Sequence, residues 1–148
     1  MPKILTIKSL IILFSCIGSI LVIISVLNYG TGLSPDSVEY LASADSLLNG
    51  TGFLTYNGQP VTEWPPLYPI LLFLCSFTIG INTETSAVVL NVILFGLIIY
   101  KSGIILTKYL KSGILISFGL LGIIFSIPVF SQTLWAQSEL LFIFLITL

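Results

Sequence analysis

The side chains suited to acid–base chemistry in this chain are carboxylates. The charged residues are six Asp or Glu and five Lys, and the sequence contains neither His nor Arg. A catalytic triad that uses His, a His-ligated metal and an Arg clamp are therefore excluded within this chain. A carboxylate is the credible general base, and an all-oxygen ligand set would suit Mg²⁺, Mn²⁺ or Ca²⁺ rather than zinc.

The acids lie in separate parts of the sequence. Asp36, Glu39 and Asp45 share one stretch without Lys, Glu63 precedes a Pro-rich turn, and Glu139 heads the last apolar run. An acid in the first turn of a helix also interacts favourably with the helix dipole, so purely structural roles stay open. Asp36, Glu63 and Glu139 could nevertheless converge at one membrane edge. There Asp36 and Glu139 could share one divalent cation.

The composition indicates a membrane protein. Of 148 residues, 56% are hydrophobic and 7% are charged, whereas a soluble domain carries about 25% charged residues. The mean hydropathy is +1.13 and the net charge is −1. We therefore expect an all-α, multi-pass membrane protein, with membrane lipids as partners and no nucleic-acid partner. Its expected location is the plasma (inner) membrane.

Charge and length predict how the apolar runs cross the bilayer. Two Lys before the first run indicate a cytoplasmic N-terminus, and the absence of a cleavage motif favours a retained helix over a signal peptide. If residues 67–81 lie in the interface or re-enter, every Lys is cytoplasmic and every acid external; if they cross, Lys108 and Lys111 become external. The first arrangement is our prediction. It has spans at about residues 10–28, 85–106, 113–130 and 139–148 onward, an external loop at 29–66, and an interfacial or re-entrant segment at 67–81.

The external loop carries signals of local structure. Ser34 is suited to cap a helix that begins at Pro35, and the Asn-Gly pair at 49–50 is suited to end it. The Asn-Gly pair at 57–58 predicts a hairpin turn. We expect the helix to be amphipathic and to lie on the membrane surface through an apolar stripe at helical spacing, made of Val38, Leu41, Ala42 and Leu48.

Two stretches resemble a known enzyme family. They are "SPDSVEYLASADSLLNGTGF" followed by "TEWPPLYPILL", and later "SIPVFSQTLWAQSELLFIFL". They resemble the GT-C glycosyltransferases that use polyprenyl-phosphate sugars, including protein O-mannosyltransferases and lipid A aminoarabinose transferases. The shared pattern is Pro-Asp, a Tyr, a small-residue helix, Gly-x-Gly and a Pro-rich turn, and later an acid that heads a helix after a Pro. The likeness covers essentially the whole chain.

The resemblance implies a GT-C-like transmembrane bundle with an external active site. Such an enzyme would transfer a sugar from a polyprenyl-phosphate donor, with inversion, to a hydroxyl of a lipid, glycan or protein acceptor. The family's proposed catalytic base maps to Asp36, and the other catalytic acids map to Glu139 and Glu63. Trp64 stands where aminoarabinose transferases have a Lys, which disfavours that particular activity.

Further expectations concern substrate contacts and completeness. We expect substrate-binding contributions from Glu39, Tyr40, Trp64 and Tyr68, although aromatic residues at this level also anchor proteins in the membrane interface. Beyond a divalent cation such as Mg²⁺ or Mn²⁺, no cofactor is expected. Because the last apolar run is shorter than the ~20 residues of a span, we expect residues 1–148 to be the N-terminal part of a longer enzyme and inactive alone. The alternatives are a fragment of a transporter, whose acids usually lie in mid-span, or a non-catalytic polytopic subunit.

The predicted threading can be tested by cysteine labelling in intact cells. In a variant without Cys16 and Cys75, Lys111→Cys should resist a membrane-impermeant maleimide, whereas Gln137→Cys should react. Permeabilised cells provide the control, because both positions should react there. Strong labelling at position 111 in intact cells, with none at position 137, would overturn the threading.

Overall fold

Seven helices build residues 2–148, the part of the chain that this computed structural model describes, with side chains described from Ile7 onward. No strand forms among these residues, which confirms the all-α prediction. Lys3, half of the predicted positive N-terminus, lies outside the described side chains. The helices are α1 (Pro2–Tyr29), α2 (Pro35–Leu48), α3 (Leu67–Ile79), α4 (Thr83–Tyr109), α5 (Gly113–Ile124), α6 (Ile127–Gln132) and α7 (Glu139–Ile146).

The two long helices, α1 and α4, pack against each other in antiparallel directions. Near the start of α1, the buried Ile11 lies against Gly103, near the end of α4. Further along α1, the Ser19 hydroxyl donates to the carbonyl of Val92, at 3.0 Å. Small residues permit this close approach of the two backbones, as is common for helices that associate in membranes.

This antiparallel packing separates the charges of the chain. Lys8 near the start of α1 lies at the same end of the pair as Lys108 and Lys111, which we call the lysine end. Asp36, beyond the last turn of α1, and Glu84, in the first turn of α4, lie at the opposite, acidic end. The chain between α1 and α4 therefore leaves and returns at the acidic end. Which end faces the cytoplasm, and whether α3 crosses the bilayer, stay predictions.

Two helices are long and apolar enough to cross a bilayer. They are Ile7–Tyr29 within α1 and the whole of α4, Thr83–Tyr109. Only 17% of the most apolar window of α1 and 33% of that of α4 are buried inside the protein. Apolar surface left uncovered on this scale is unfavourable in water, so these helices indicate a membrane protein. The shorter apolar helices α3 and α5 have 13 and 12 residues, or about 18–20 Å at 1.5 Å per residue.

The predicted span at residues 113–130 is built from two helices rather than one, and whether it crosses the bilayer stays a prediction. The helix ends at Ile124, Ser126 is extended at ψ 104°, and a separate six-residue helix begins at Ile127. Pro128 explains the break, because its ring would clash with the carbonyl of Ile124 four residues earlier and it has no N–H to donate. An apolar composition alone did not reveal the interruption.

The predicted bounds of α2 are confirmed, and its caps are the expected ones. Ser34 accepts from the backbone N–H of Ser37, while the Ser37 hydroxyl accepts from the backbone N–H of Ser34. The helix packs against α3 and α4 through a face made of Ser37, Tyr40, Ser43 and Ala44. The predicted apolar stripe is partly or largely exposed, so its contact with a membrane stays a prediction.

The turn predicted by the second Asn-Gly pair also forms. The N–H of Thr55 donates to the carbonyl of Gln59 at 2.7 Å. Gly58 has φ +75°, a left-handed conformation that glycine adopts without steric cost. The pairing stops at an isolated bridge between Leu54 and Pro60 rather than extending into strands.

Gly103→Val should destabilise the protein by about 1–3 kcal/mol, as overpacking of a close contact typically does. A Cβ at this position would lie 2.7 Å from Cγ2 of Ile11, which is fully buried and has little room to move. Unfolding in mixed micelles at increasing denaturant would measure the change. Gly122→Val is the matched control, since a Cβ there would meet no described atom within 4 Å apart from its chain neighbours and the backbone of its own helix. Equal destabilisation by both variants would contradict the proposed α1–α4 contact.

Candidate functional site

Two segments that are far apart in sequence are joined at the acidic end. The N–H of Gly32 donates to the carbonyl of Leu134 at 2.7 Å, and the N–H of Ala136 donates to the carbonyl of Gly32 at 3.2 Å. A Cβ at Gly32 would lie 2.8 Å from Cδ2 of Trp135, so a larger residue would push the indole away. We call the paired segments, residues 32–34 and 134–138, the junction.

Side chains extend the junction toward the two best candidate acids. The Gln137 amide donates to the Ser34 hydroxyl, and the Tyr40 and Ser138 hydroxyls are hydrogen-bonded at 3.0 Å. Asp36 follows Ser34 by two residues and lies one helical turn before Tyr40, on the same side of α2. Glu139 directly follows Ser138. The junction therefore brings the segments that carry Asp36 and Glu139 together.

A buried amide on α4 holds the junction from inside the protein. The Nδ2 of Asn91 donates to the carbonyls of Thr133 and Trp135, at 3.0 and 2.8 Å. Asn91 is fully buried, and its Oδ1 has no hydrogen-bond partner among the described residues. A buried carbonyl without a hydrogen-bond partner is costly. The two hydrogen bonds from Asn91 therefore fix the position of the chain between α6 and α7 relative to α4.

Asp36 is held in position and still open to a ligand. Its Oδ1 accepts a hydrogen bond from the indole Nε1 of Trp64 at 3.1 Å, and the side chain is exposed. No described residue donates to its Oδ2. One oxygen therefore orients the carboxylate while the other can accept a proton, as a general base requires.

Tyr68 contributes a buried phenol beside the second acid. Its ring meets that of Tyr40 edge to face, with centroids 5.2 Å apart, and its hydroxyl has no partner among the described residues. Burial raises the pKa of the Tyr68 phenol, the neighbouring Glu139 carboxylate raises it further, and Tyr40 makes a smaller contribution in the same direction. The phenol therefore stays protonated at neutral pH and can donate a hydrogen bond.

A small apolar cleft adjoins this phenol. Its volume is about 130 Å³, and it lies between the start of α3 and α7. Apart from Tyr68 and Ser138, its walls are apolar, formed by Pro65, Leu67, Leu141, Phe142 and Leu145. Beside the junction, the acidic end thus combines the carboxylates of Asp36 and Glu139 and a phenol with a hydrocarbon surface.

Three other acids lie outside the junction. The Oε2 of Glu39 accepts from the backbone N–H of Tyr56 at 2.9 Å, so this acid supports the loop turn. Asp45 accepts from the hydroxyl of Thr83 at 2.9 Å and links α2 to α4. Glu63 is exposed beside Trp64. The assignment of Glu39 and Glu63 to substrate binding and catalysis stays a prediction.

A divalent cation also stays a prediction. Among residues 2–148, no group of three or more His, Cys, Asp or Glu is arranged to hold a metal. Asp36 and Glu139 would provide two carboxylates. Magnesium is commonly bound by one or two carboxylates together with substrate phosphates and water. Two carboxylates beside the junction are ligands of the type that such a cation would need, all of them oxygen.

Several residues that form or hold the junction were not predicted from the sequence. Asn91 had a usable signal, because a polar side chain inside an apolar span usually has a specific partner. Gly32, Gln137 and Ser138 had no comparable signal, since their partners lie about a hundred positions away.

No protein-family model, curated protein or solved structure was found to match this chain. The chemistry available at the acidic end is therefore argued from the geometry itself. It comprises proton acceptance by an oriented carboxylate, hydrogen-bond donation by a protonated phenol, and contact with an apolar ligand.

Asn91→Ala should lower the free energy of unfolding by about 1–3 kcal/mol, because a buried carbonyl at Thr133 and a partly buried one at Trp135 would lose their donor. Detergent-solubilised protein unfolded by heat or denaturant would show the change. Asn28→Ala removes a similar amide from an exposed position, where Nδ2 donates to the carbonyl of Ile24, and should cost less than about 0.5 kcal/mol. A loss at Asn91 no larger than that at Asn28 would mean that the amide does not hold the junction.

Proposed function

We propose that this chain forms part of a membrane glycosyltransferase that moves a sugar from a polyprenyl-phosphate donor to an acceptor hydroxyl at the acidic end. The observation that carries the proposal is the junction. It joins Ser34 to Gln137 across 103 positions and so brings together the segments that carry Asp36 and Glu139. The resemblance of the surrounding motifs to GT-C enzymes supports the same class of reaction.

In the proposed step, Asp36 acts as the general base. Its Oδ2 takes the proton of the acceptor hydroxyl as the hydroxyl oxygen attacks the anomeric carbon of the sugar. The bond between that carbon and the phosphate oxygen breaks, and its electron pair leaves with the polyprenyl phosphate. Attack opposite the leaving group inverts the configuration. A positioned base contributes roughly 10²–10⁴-fold to the rate of such a step.

The leaving phosphate carries negative charge that needs stabilisation. The described Lys side chains are remote from the junction, at or toward the lysine end, so they cannot supply it. We propose that a Mg²⁺ or Mn²⁺ ion, held chiefly by Glu139 so that Oδ2 of Asp36 stays free for the proton, would neutralise the phosphate, with the Tyr68 phenol as an additional donor. Basic residues elsewhere in a longer protein are the alternative source of this charge.

Substrate binding would use the aromatic residues around Asp36. Tyr40 and Tyr68 are held edge to face, and Trp64 is anchored through its indole nitrogen, so these rings form a preorganised wall. The apolar cleft beside Tyr68 would accommodate the part of the prenyl chain nearest the phosphate. Glu39 would act indirectly, through the loop turn that it supports.

Asp36→Asn in the full-length protein should reduce sugar transfer from a polyprenyl-phosphate donor by roughly 10²–10⁴-fold. The amide keeps the shape of the side chain and an oxygen for the Trp64 indole, but it cannot take the proton. Transfer of a radiolabelled sugar in reconstituted membranes measures the effect, and thermal unfolding verifies that the variant is folded.

Asp45→Asn is the matched control for this variant. It makes the same chemical change in the same helix, and Asp45 likewise accepts a hydrogen bond from a side-chain donor, the hydroxyl of Thr83. Transfer should stay within a few-fold of wild type. Asp36→Asn enzyme that works as well as the control would remove Asp36 as the base and with it the main support for the proposed reaction.

A further inference from the structure

A second cleft lies at the lysine end, far from the junction. It has a volume of about 420 Å³ and separates the first described turns of α1 from the end of α4 and the connection to α5. Its floor consists of four aliphatic side chains, Ile7, Ile11, Ile104 and Leu110. Its polar lining residues are Lys8, Thr107 and Lys111.

The charges of this cleft are all of one sign. Lys8 and Lys111 come from different parts of the fold, both are exposed, and no acid lines the cleft. Glu84, at the start of α4, lies at the other end of a helix of 27 residues, about 40 Å long. The protein therefore does not neutralise the two ammonium groups locally, and an anion between them would be favoured.

The floor of the cleft distinguishes between possible anions. It is built from α1 and α4, the two helices that are long and apolar enough to cross a bilayer. The ends of such helices lie at the level of the lipid headgroups. An inorganic phosphate would use the two Lys but leave the aliphatic floor uncovered, whereas a phospholipid would use both.

We propose that this cleft binds an anionic phospholipid, with its headgroup phosphate between Lys8 and Lys111 and an acyl chain along the aliphatic floor. Lys ammonium groups bind phosphate as compact point charges with several donors, and basic pockets between membrane helices are suited to anionic headgroups. The inference depends on α1 and α4 crossing the membrane. It does not depend on the proposed sugar transfer.

The test uses full-length protein reconstituted in nanodiscs of phosphatidylglycerol and phosphatidylcholine. Native mass spectrometry then counts the lipids retained after release from the nanodisc. Wild-type protein should retain one phosphatidylglycerol in preference to phosphatidylcholine. The double variant Lys8→Gln/Lys111→Gln should lower this retention roughly tenfold or more, since each Lys near a membrane surface contributes about fivefold to anionic lipid binding.

Lys108→Gln is the control for general surface charge. Lys108 is exposed in the last turn of α4, at the same end, but does not line the cleft, so its replacement should lower retention clearly less than Lys111→Gln alone does. All three residues are exposed, so the unfolding temperatures should match that of the wild type.

Three results would overturn the proposal. The first is a loss of lipid with Lys108→Gln as large as that with Lys111→Gln alone, which would indicate only diffuse surface attraction. The second is retention of phosphatidylcholine as strongly as phosphatidylglycerol. The third is complete displacement of the lipid by millimolar inorganic phosphate, which would identify a free anion as the occupant.

Discussion

The buried amide of Asn91 is the interaction on which the arrangement of the acidic end depends. Its two N–H groups meet two carbonyls of a chain segment that has no regular structure and cannot satisfy them itself. Once that segment is fixed, its backbone can pair with Gly32, and its side chains can reach the start of α2. The placement of Glu139 relative to Asp36 is thus a consequence of one polar side chain within an apolar helix.

The antiparallel packing of α1 and α4 is a second constraint, and it decides which residues lie at each end of the molecule. Close backbone approach at Gly103 and the Ser19 hydrogen bond hold the pair together. Because the two helices run in opposite directions, residues that are distant in sequence share an end. The result is a molecule with carboxylates and aromatic rings at one end and ammonium groups at the other.

This separation of charge has a chemical consequence for the acidic end. An oriented carboxylate without a nearby cation can accept a proton, but a leaving phosphate beside it would be repelled. The Tyr68 phenol has no hydrogen-bond partner among the described residues, and burial and Glu139 raise its pKa, so it can donate a hydrogen bond but brings no positive charge. A cation that enters with the substrate would resolve this conflict, and the lysine end is left free for a different anionic ligand.

The sequence by itself determined those features whose causes are local. The ends of α2 are set by residues next to them, Ser34 and Pro35 at the start and the Asn-Gly pair at 49–50 at the end. The second Asn-Gly pair, at 57–58, sets the turn of the following loop. The acids and aromatic rings of the acidic end could likewise be named from residue type.

Only the tertiary structure decided which of them meet. The face that α2 buries is rich in small and hydroxyl-bearing residues rather than in the apolar stripe, because close packing against α3 and α4 favours small side chains there. The junction depends on hydrogen bonds between groups about a hundred positions apart, and such pairings follow from the packing of helices rather than from any local pattern.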